Sequence, residues 1–411
     1  MTAVISERPA ARSPSSPRAR LRDFAGRHRS ITIIVAMALI TVAMVLLPTF
    51  PPLSWIQSKD PWYDAFANAG VFVLLAMGLN VVIGLAGLLD LGYAAFFAIG
   101  AYTYAYSNSP FSGQDLPFLP MLAVGAAVAA VFGIALGAPT LRLRGDYLAI
   151  MTLGFGEIVP IVFLNLDPYT RGTNGIGGIF RPEPLPFLGE FSPLTPFAYY
   201  IVMVGIVTVA MILLYRMQDS RVGRAWNAIR EDELAAAANG INTVTTKLLA
   251  FAIGATTAGL AGVFNASKLT IVSPEQFLFA VSFSVLAMVI LGGMGNIWGV
   301  AAGAFIVYLI QVVFLKQLNA ITEGLGIPIL KDINFIDYQY LLFGAALVLM
   351  MLYRPEGMFP SQRRRRELHV ADEMAGKFID GPDVIGALGE TPGAEELLGE
   401  AAAEDVPGHD R

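Results

Sequence analysis

The 411-residue chain has no cysteine, so disulfides, thiolate catalysis and cysteine-ligated metals are excluded. It has three histidines, His28, His369 and His409, and all lie in hydrophilic tails. A histidine-built catalytic or metal site within the apolar part of the chain is therefore ruled out. Charge is also scarce: 14% of residues are charged, against about 25% in an ordinary soluble protein. The net charge of −5 says little, because it averages a basic N-terminus with an acidic C-terminus. No G-x-x-x-x-G-K-[ST] occurs, so the chain cannot hydrolyse ATP through a phosphate loop of its own. The glycine-rich stretch TRGTNGIGGIF at 170–180 lacks the preceding strand, following helix and lysine of a phosphate cradle. Nothing in the sequence points to nucleic acid.

What is abundant is apolar sequence, at 55% of residues. A helix needs about 20 apolar residues to cross a bilayer. Ten stretches qualify, at roughly 31–50, 66–85, 91–107, 117–139, 147–166, 197–215, 248–266, 276–294, 297–315 and 338–353. The expectation is an all-α polytopic membrane protein of about ten transmembrane or re-entrant helices. Two pairs are ambiguous. Residues 65–114 carry only Asp90 as a charge, and residues 276–315 carry none. Each pair reads either as two full spans joined by a tight turn or as two half-helices that dip in and back. Both ends of the chain stay on one side in either case.

Lys and Arg placement gives the orientation. With both termini in the cytoplasm, 21 of the 27 Lys and Arg residues fall in inside segments and 6 outside. Three regions follow: a basic cytoplasmic tail over 1–30, a membrane domain over 31–353, and a cytoplasmic tail over 354–411 that is basic and then acidic. Residues 1–30 are rich in Ser, Pro and Arg, but no A-x-A cleavage site follows, and 31–50 is long enough to span. They read as a disordered tail before a retained first helix. The run RRRR at 363–366 reads as a membrane-surface anchor ahead of a disordered remainder.

Small and polar residues mark the interior of the membrane domain. Gly295, Gly299 and Gly303 are four apart, as are Gly133 and Gly137. Such faces let helix backbones touch, which is a packing role. Glu157 lies within an expected span, and Pro160 just after it loosens the helix. An ionisable group at that depth marks either a transport path or a carboxyl hydrogen-bonded between helices. Asn80 and Asn296 read as interhelical hydrogen-bonding groups, with Asn80 also a candidate for the path. Asp90 is placed to cap the helix that begins at LGYAAFF.

The segment 216–247 is the exception to the apolar pattern, and topology puts it in the cytoplasm. Its core is GRAWNAIREDELAAAANGIN, 223–242. Two short helices are expected. The first covers about 220–230, with Trp226 and Ile229 on one face. The second starts in Glu231, Asp232 and Glu233, whose charges suit a helix N-terminus, and continues through four alanines. Gly240 fits the left-handed residue after a helix end, and Asn242 a cap for the next span. The segment is either a stiff solvated connector or a docking element anchored by Trp226.

Six blocks in order resemble a known family: GLNVVIGLAGLLDLGYAAFFAIGAY (78–102), LRLRGDYLAIMTLGFGEIV (141–159), the insert at 223–242, VSPEQF (272–277), LGGMGNIWG (291–299) and RPEGMFP (354–360). Together they are similar to the permease of the prokaryotic branched-chain amino-acid ABC transporter, in its LivM branch, over about 65–360. The resemblance implies a multi-pass plasma-membrane subunit forming half of a pore, beside a sister permease of the LivH type. It also implies two ATPase subunits, which bind ATP and Mg, and an extracytoplasmic substrate-binding protein. No cofactor is implied in this chain. By the same resemblance Arg224, Trp226, Ile229, Arg230, Glu231, Asp232, Glu233 and Gly240 belong to the segment that couples to an ATPase. The insert departs from the common EAA-loop pattern: Gly240 follows Leu234 by six residues, and no I-x-L-P follows. Related permeases for urea, short amides or other amino acids would look alike. A gradient-driven carrier with Glu157 as its proton site is the reading from a different class.

Overall fold

The computed structural model describes residues 41, 43–49, 59–140, 145–185, 189–192, 194–315, 338–354 and 357–359. All fall in the first of two compact units, Met1–Phe359, and the second, Pro360–Arg411, lies outside the described residues. The tail expected over 1–30, residues 31–40 of the first expected span, and Arg142 and Arg144 also lie outside them.

Eleven helices of six residues or more carry the architecture of the described residues, with a four-residue helix, Asp167–Thr170, beside them. They are α1 (Lys59–Asn80), α2 (Ala94–Ser107), α3 (Phe118–Thr140), α4 (Asp146–Asn165), α5 (Phe197–Gln218), α6 (Arg221–Glu231), α7 (Glu233–Ala238), α8 (Thr243–Leu269), α9 (Phe279–Gly292), α10 (Ile297–Leu309) and α11 (Gln339–Tyr353). Seven segments among the described residues are long and apolar enough to cross a membrane. Their bounds lie close to the expected ones. Asp60–Leu85 is 83% buried over its apolar window, whereas α4 is 28% buried, so the first is central and the second peripheral.

The first ambiguous pair, 65–114, and the junction of α8 with α9 share one arrangement, whereas the second ambiguous pair, 276–315, folds as α9 and α10 joined by a turn over 293–296. Helix α1 runs on through a π-helical turn, Val81–Leu85, giving an apolar helix of 26 residues, Asp60–Leu85. Residues 86–93 are then unwound, and α2 has 14 residues. Helix α8 has 27 residues; residues 270–278 follow with a short strand and one 3-10 turn, and α9 again has 14. A 14-residue helix rises about 21 Å, less than the ~30 Å hydrocarbon core. Helix α2 is thus preceded by the non-helical residues 86–93, and α9 by the 3-10 turn Pro274–Phe277, with which it forms the 19-residue apolar segment Pro274–Gly292.

The two interruptions lie at opposite ends of the bundle. Asp60–Leu85 ends beside α6, whereas α8 begins beside α7, so the two units run in opposite directions. The first interruption climbs from α6 to the middle of the bundle. There the Tyr93 hydroxyl donates to the Gly254 carbonyl at 2.7 Å, halfway along α8. The Leu91 amide donates to Thr152 Oγ1 at 3.0 Å, on α4. The second interruption occupies the opposite half. Strand β2 (Ile271–Val272) pairs antiparallel with β1 (Ile176–Gly177), and Phe277 stacks edge-on against Phe97 with centroids 5.1 Å apart. The half-helices meet where the Ala94 amide donates to Ser282 Oγ at 2.9 Å.

Backbone-to-backbone packing holds this core. A Cβ on Gly262 would sit 2.3 Å from the Phe97 carbonyl of α2, and one on Gly259 would sit 2.6 Å from Ala129 Cβ of α3. Helix α8 is thus sandwiched between α2 and α3. The expected small-residue faces take part. Gly133 and Gly137 lie against Phe251 of α8, and Gly299 and Gly303 against Gly292 of α9. Gly295 is not on that helical face: it sits in the α9–α10 turn with φ of 80°. At the β-strand end Lys268 on α8 pairs with Asp64 on α1 at 2.7 Å and donates to Asn68 Oδ1 at 2.6 Å.

Candidate functional site

The segment between α5 and α8 folds as its residues dictate. Ser220 Oγ accepts from the Gly223 amide at 3.3 Å and caps α6. Gly223 is needed because a Cβ there would lie 2.2 Å from the Gln218 carbonyl. Asp232 Oδ1 accepts from the Leu234 and Ala235 amides at 2.8 and 3.0 Å and starts α7. Gly240 takes φ of 83° to end it, and Asn242 Oδ1 accepts from the Thr245 amide at 3.1 Å to start α8. The two helices, the glycine turn and the cap all match the sequence expectation.

The orientation of the first helix does not. Trp226 and Ile229 do share a face, but it is turned into the chain: Trp226 is fully buried and Ile229 is 6% exposed. The Trp226 indole donates to the Thr246 carbonyl at 2.7 Å. Trp226 is therefore an internal anchor that fixes α6 against the start of α8, and the docking role expected of it is corrected. The face left open carries Arg224, Glu231, Asp232, Ala237, Ala238 and Gly240, all exposed, with Leu234 exposed to 68%. Leu234 was missed because a single leucine among alanines reads as helix core rather than as an outward anchor.

The remaining charges tie the segment to the bundle. Glu233 pairs with Lys247 at 2.6 Å, with the lysine side chain only 6% exposed. Arg230 Nη1 donates to the carbonyl of Gly84 in the π-helical turn. Asn80, one turn earlier, is fully buried and its Oδ1 accepts from the Gly295 amide at 2.8 Å. Asn80 thus links two inner turns and does not face open space. Asn296, just before α10, donates to the carbonyl of Phe359, which lies outside any helix, at 3.0 Å, so the interhelical bond expected of it is corrected to a bond between turns. Asp90 does not cap α2: its Oδ1 accepts from the Gly92 amide at 2.9 Å, and Tyr93 is the residue that precedes the helix.

Glu157 lies near the middle of α4 and is exposed, on a face with Ile150, Ile158, Ile161 and Val162. A carboxylate in contact with lipid tails at that depth costs several kcal/mol. This face is therefore suited to water or another protein. Among the described residues no group of three His, Asp or Glu side chains is placed to hold a metal ion.

These features sit in a chain with well-defined relatives. Residues 64–351 match the family model described as the permease component of the branched-chain amino acid transport system. The chain is 40% identical to the high-affinity branched-chain amino acid permease protein LivM of Salmonella typhimurium, over 72% of this chain and 70% of that one. It is 26% identical to the probable LivM of Methanocaldococcus jannaschii, over 71% of this chain and 91% of the other. The LivH permease protein of Escherichia coli K12 is 24% identical over 72% of this chain and 93% of its own. No solved structure matches the chain. With its membrane-crossing helices and its matched length, the chain belongs to the family of permease components of the branched-chain amino acid transport system.

Proposed function

We propose that this chain is one half of the translocation pore of an ATP-driven importer of branched-chain amino acids in a prokaryotic inner membrane. The members of its family are transport permeases and not enzymes. The sister half would be a permease of the LivH kind. Two ATPase subunits would supply ATP hydrolysis with Mg, and an extracytoplasmic binding protein would deliver substrate. The observation that carries this reading is the segment 216–247: it is anchored from below by Trp226, and it presents Leu234 and a mixed-charge surface outward. A chain with no phosphate loop that displays such a surface is suited to receive force from a separate ATPase. Arg224, Glu231, Asp232, Leu234 and Gly240 form the docking face. Trp226, Ile229 and Glu233 hold that face on the bundle.

The translocation path is assigned to the open face of α4, with Glu157 at its middle. That face would be shared with the sister permease, because neither the carboxylate nor its water belongs in lipid. Uptake into vesicles tests the whole reading. Leucine accumulation that requires the ATPase subunits and ATP supports it. Accumulation by this chain alone, driven by a proton gradient, would instead establish the autonomous carrier.

A further inference from the structure

We propose that Arg230 is a positioning residue that carries motion of the coupling segment into the first interrupted crossing. The inference rests on the reading of 216–247 as the segment that docks an ATPase. Four observations on the inner side of the bundle support it.

The contact is direct. The Arg230 guanidinium holds the Gly84 carbonyl, and its aliphatic stem covers Gly87, where an added Cβ would lie 2.8 Å from Arg230 Cγ. Gly87 has φ of 72°, so the chain turns sharply under this side chain. The gripped element is also the irregular one. Bonds there run from the Ala86 amide to the Val81 carbonyl and from the Leu88 amide to the Val82 carbonyl, at 3.1 and 3.0 Å, out of α-helical register. Turns of this kind recur at functional hinges.

The segment grips the same place from its start. Gln218, the last residue of α5, donates from Nε2 to the Gly295 carbonyl at 3.3 Å, while the Gly295 amide is held by Asn80. The last residue of α5 and the last turn of α6 thus bear on two turns that Asn80 ties together. Finally, the inner turns keep polar atoms in reserve. Asn80 Nδ2 and Asp90 Oδ2 are buried with no hydrogen-bond partner among the described residues, and they are available to partners in a second arrangement. A cavity of about 270 Å³ lies between residues 86–89, Asp146 and Leu148 of α4, and the segment's Ile229, Arg230 and Glu233. That volume gives the unwound chain room to move.

Arginine suits the task because its planar fork fixes direction as well as distance, whereas a lysine offers a point charge on a flexible stem. The test uses the complete transporter, with sister permease, ATPases and binding protein, in proteoliposomes. Co-purification, ATP hydrolysis and labelled-leucine uptake are read together. Arg230→Ala is expected to leave assembly intact and hydrolysis within about twofold, while leucine taken up per ATP falls about tenfold. Arg230→Lys should recover part of that ratio. The pair Gly87→Cys with Arg230→Cys, whose Cβ atoms would lie 3.2 Å apart, restores the ratio when oxidised and loses it when reduced. Leu234→Asp is the separate control for docking, and its loss of co-purification supports the underlying reading whatever Arg230 does. Uptake and hydrolysis that fall in step in Arg230→Ala, an unchanged ratio, or an oxidised pair no better than the reduced one would overturn the proposal.

Discussion

The two interrupted crossings have nearly the same parts in the same order, yet they are held in different ways. In the second, residues 270–278 are pinned. The β1–β2 pair fixes Ile271 and Val272, Phe277 is fully buried against Phe97, and Lys268 closes the end of α8 with Asp64 and Asn68. In the first, residues 86–93 follow a π-helical turn and border a cavity; a buried side-chain oxygen without a partner occurs in both, Asp90 Oδ2 here and Gln276 Oε1 there. The far end of 86–93 is held by the Leu91 amide on Thr152 and the Tyr93 hydroxyl on Gly254, and the near end lies under Arg230 of the coupling segment. On the proposal made for Arg230, the second interruption serves as an anchor and the near end of the first as a hinge. The difference lies in what each touches, because their helix lengths are matched.

The comparison fails at once if its shared core fails. Gly262→Leu places a side chain where a Cβ already lies 2.3 Å from the Phe97 carbonyl, and no rotamer relieves a backbone clash. The variant is expected to yield no monodisperse protein by size-exclusion chromatography in detergent. Trp226→Ala removes a fully buried ring and its bond to Thr246, a loss of about 3–5 kcal/mol to the coupling segment. Proteolysis within 219–242 and loss of ATPase co-purification should report it, with the membrane helices intact. On the anchor side, Asp64→Ala leaves Lys268 without its ion pair, and about 2 kcal/mol of stability should go. A lower thermal midpoint with an unchanged ratio of uptake to hydrolysis is the expected pair of results. A changed ratio would mean that the outer end is also part of the switch. The smallest effect belongs to Glu157→Gln, which touches neither interruption. Thermal stability should stay within about 0.5 kcal/mol of the parent, while uptake falls. Wild-type uptake across pH would remove Glu157 from the path.

Much of this was legible in the sequence, and the parts that were not share a cause. Local rules sufficed for the helix start within Glu231–Glu233, the cap at Asn242, the left-handed Gly240 and most span bounds, because each depends on residues a few positions apart. Trp226 and Ile229 were correctly placed on one face, but periodicity cannot say whether that face meets the chain's own bundle or a partner. Asp90 was misread because LGYAAFF reads as helical from its first residue, whereas the helix starts at Ala94, beyond a carboxylate's reach. The half-helices were left open for a related reason: an apolar run carries no mark of depth. The Asn80–Gly295 bond joins residues 215 positions apart, and no pattern within either segment announces it.

The central claim is that the inner interruption moves with the coupling segment while the outer one stays fixed. The absence of cysteine lets spin labels be placed at chosen pairs without altering a native thiol. The most direct measurement is pulsed electron resonance in the assembled transporter, with and without a non-hydrolysable ATP analogue. One pair joins Leu89 in the inner interruption to Ile271 in the outer one, and a reference pair joins Ile271 to Tyr106; all three side chains are exposed. A nucleotide-dependent shift of several ångströms in the Leu89 pair, with the reference pair unchanged, is the result this account requires. Equal shifts in both pairs, or none in either, would contradict it.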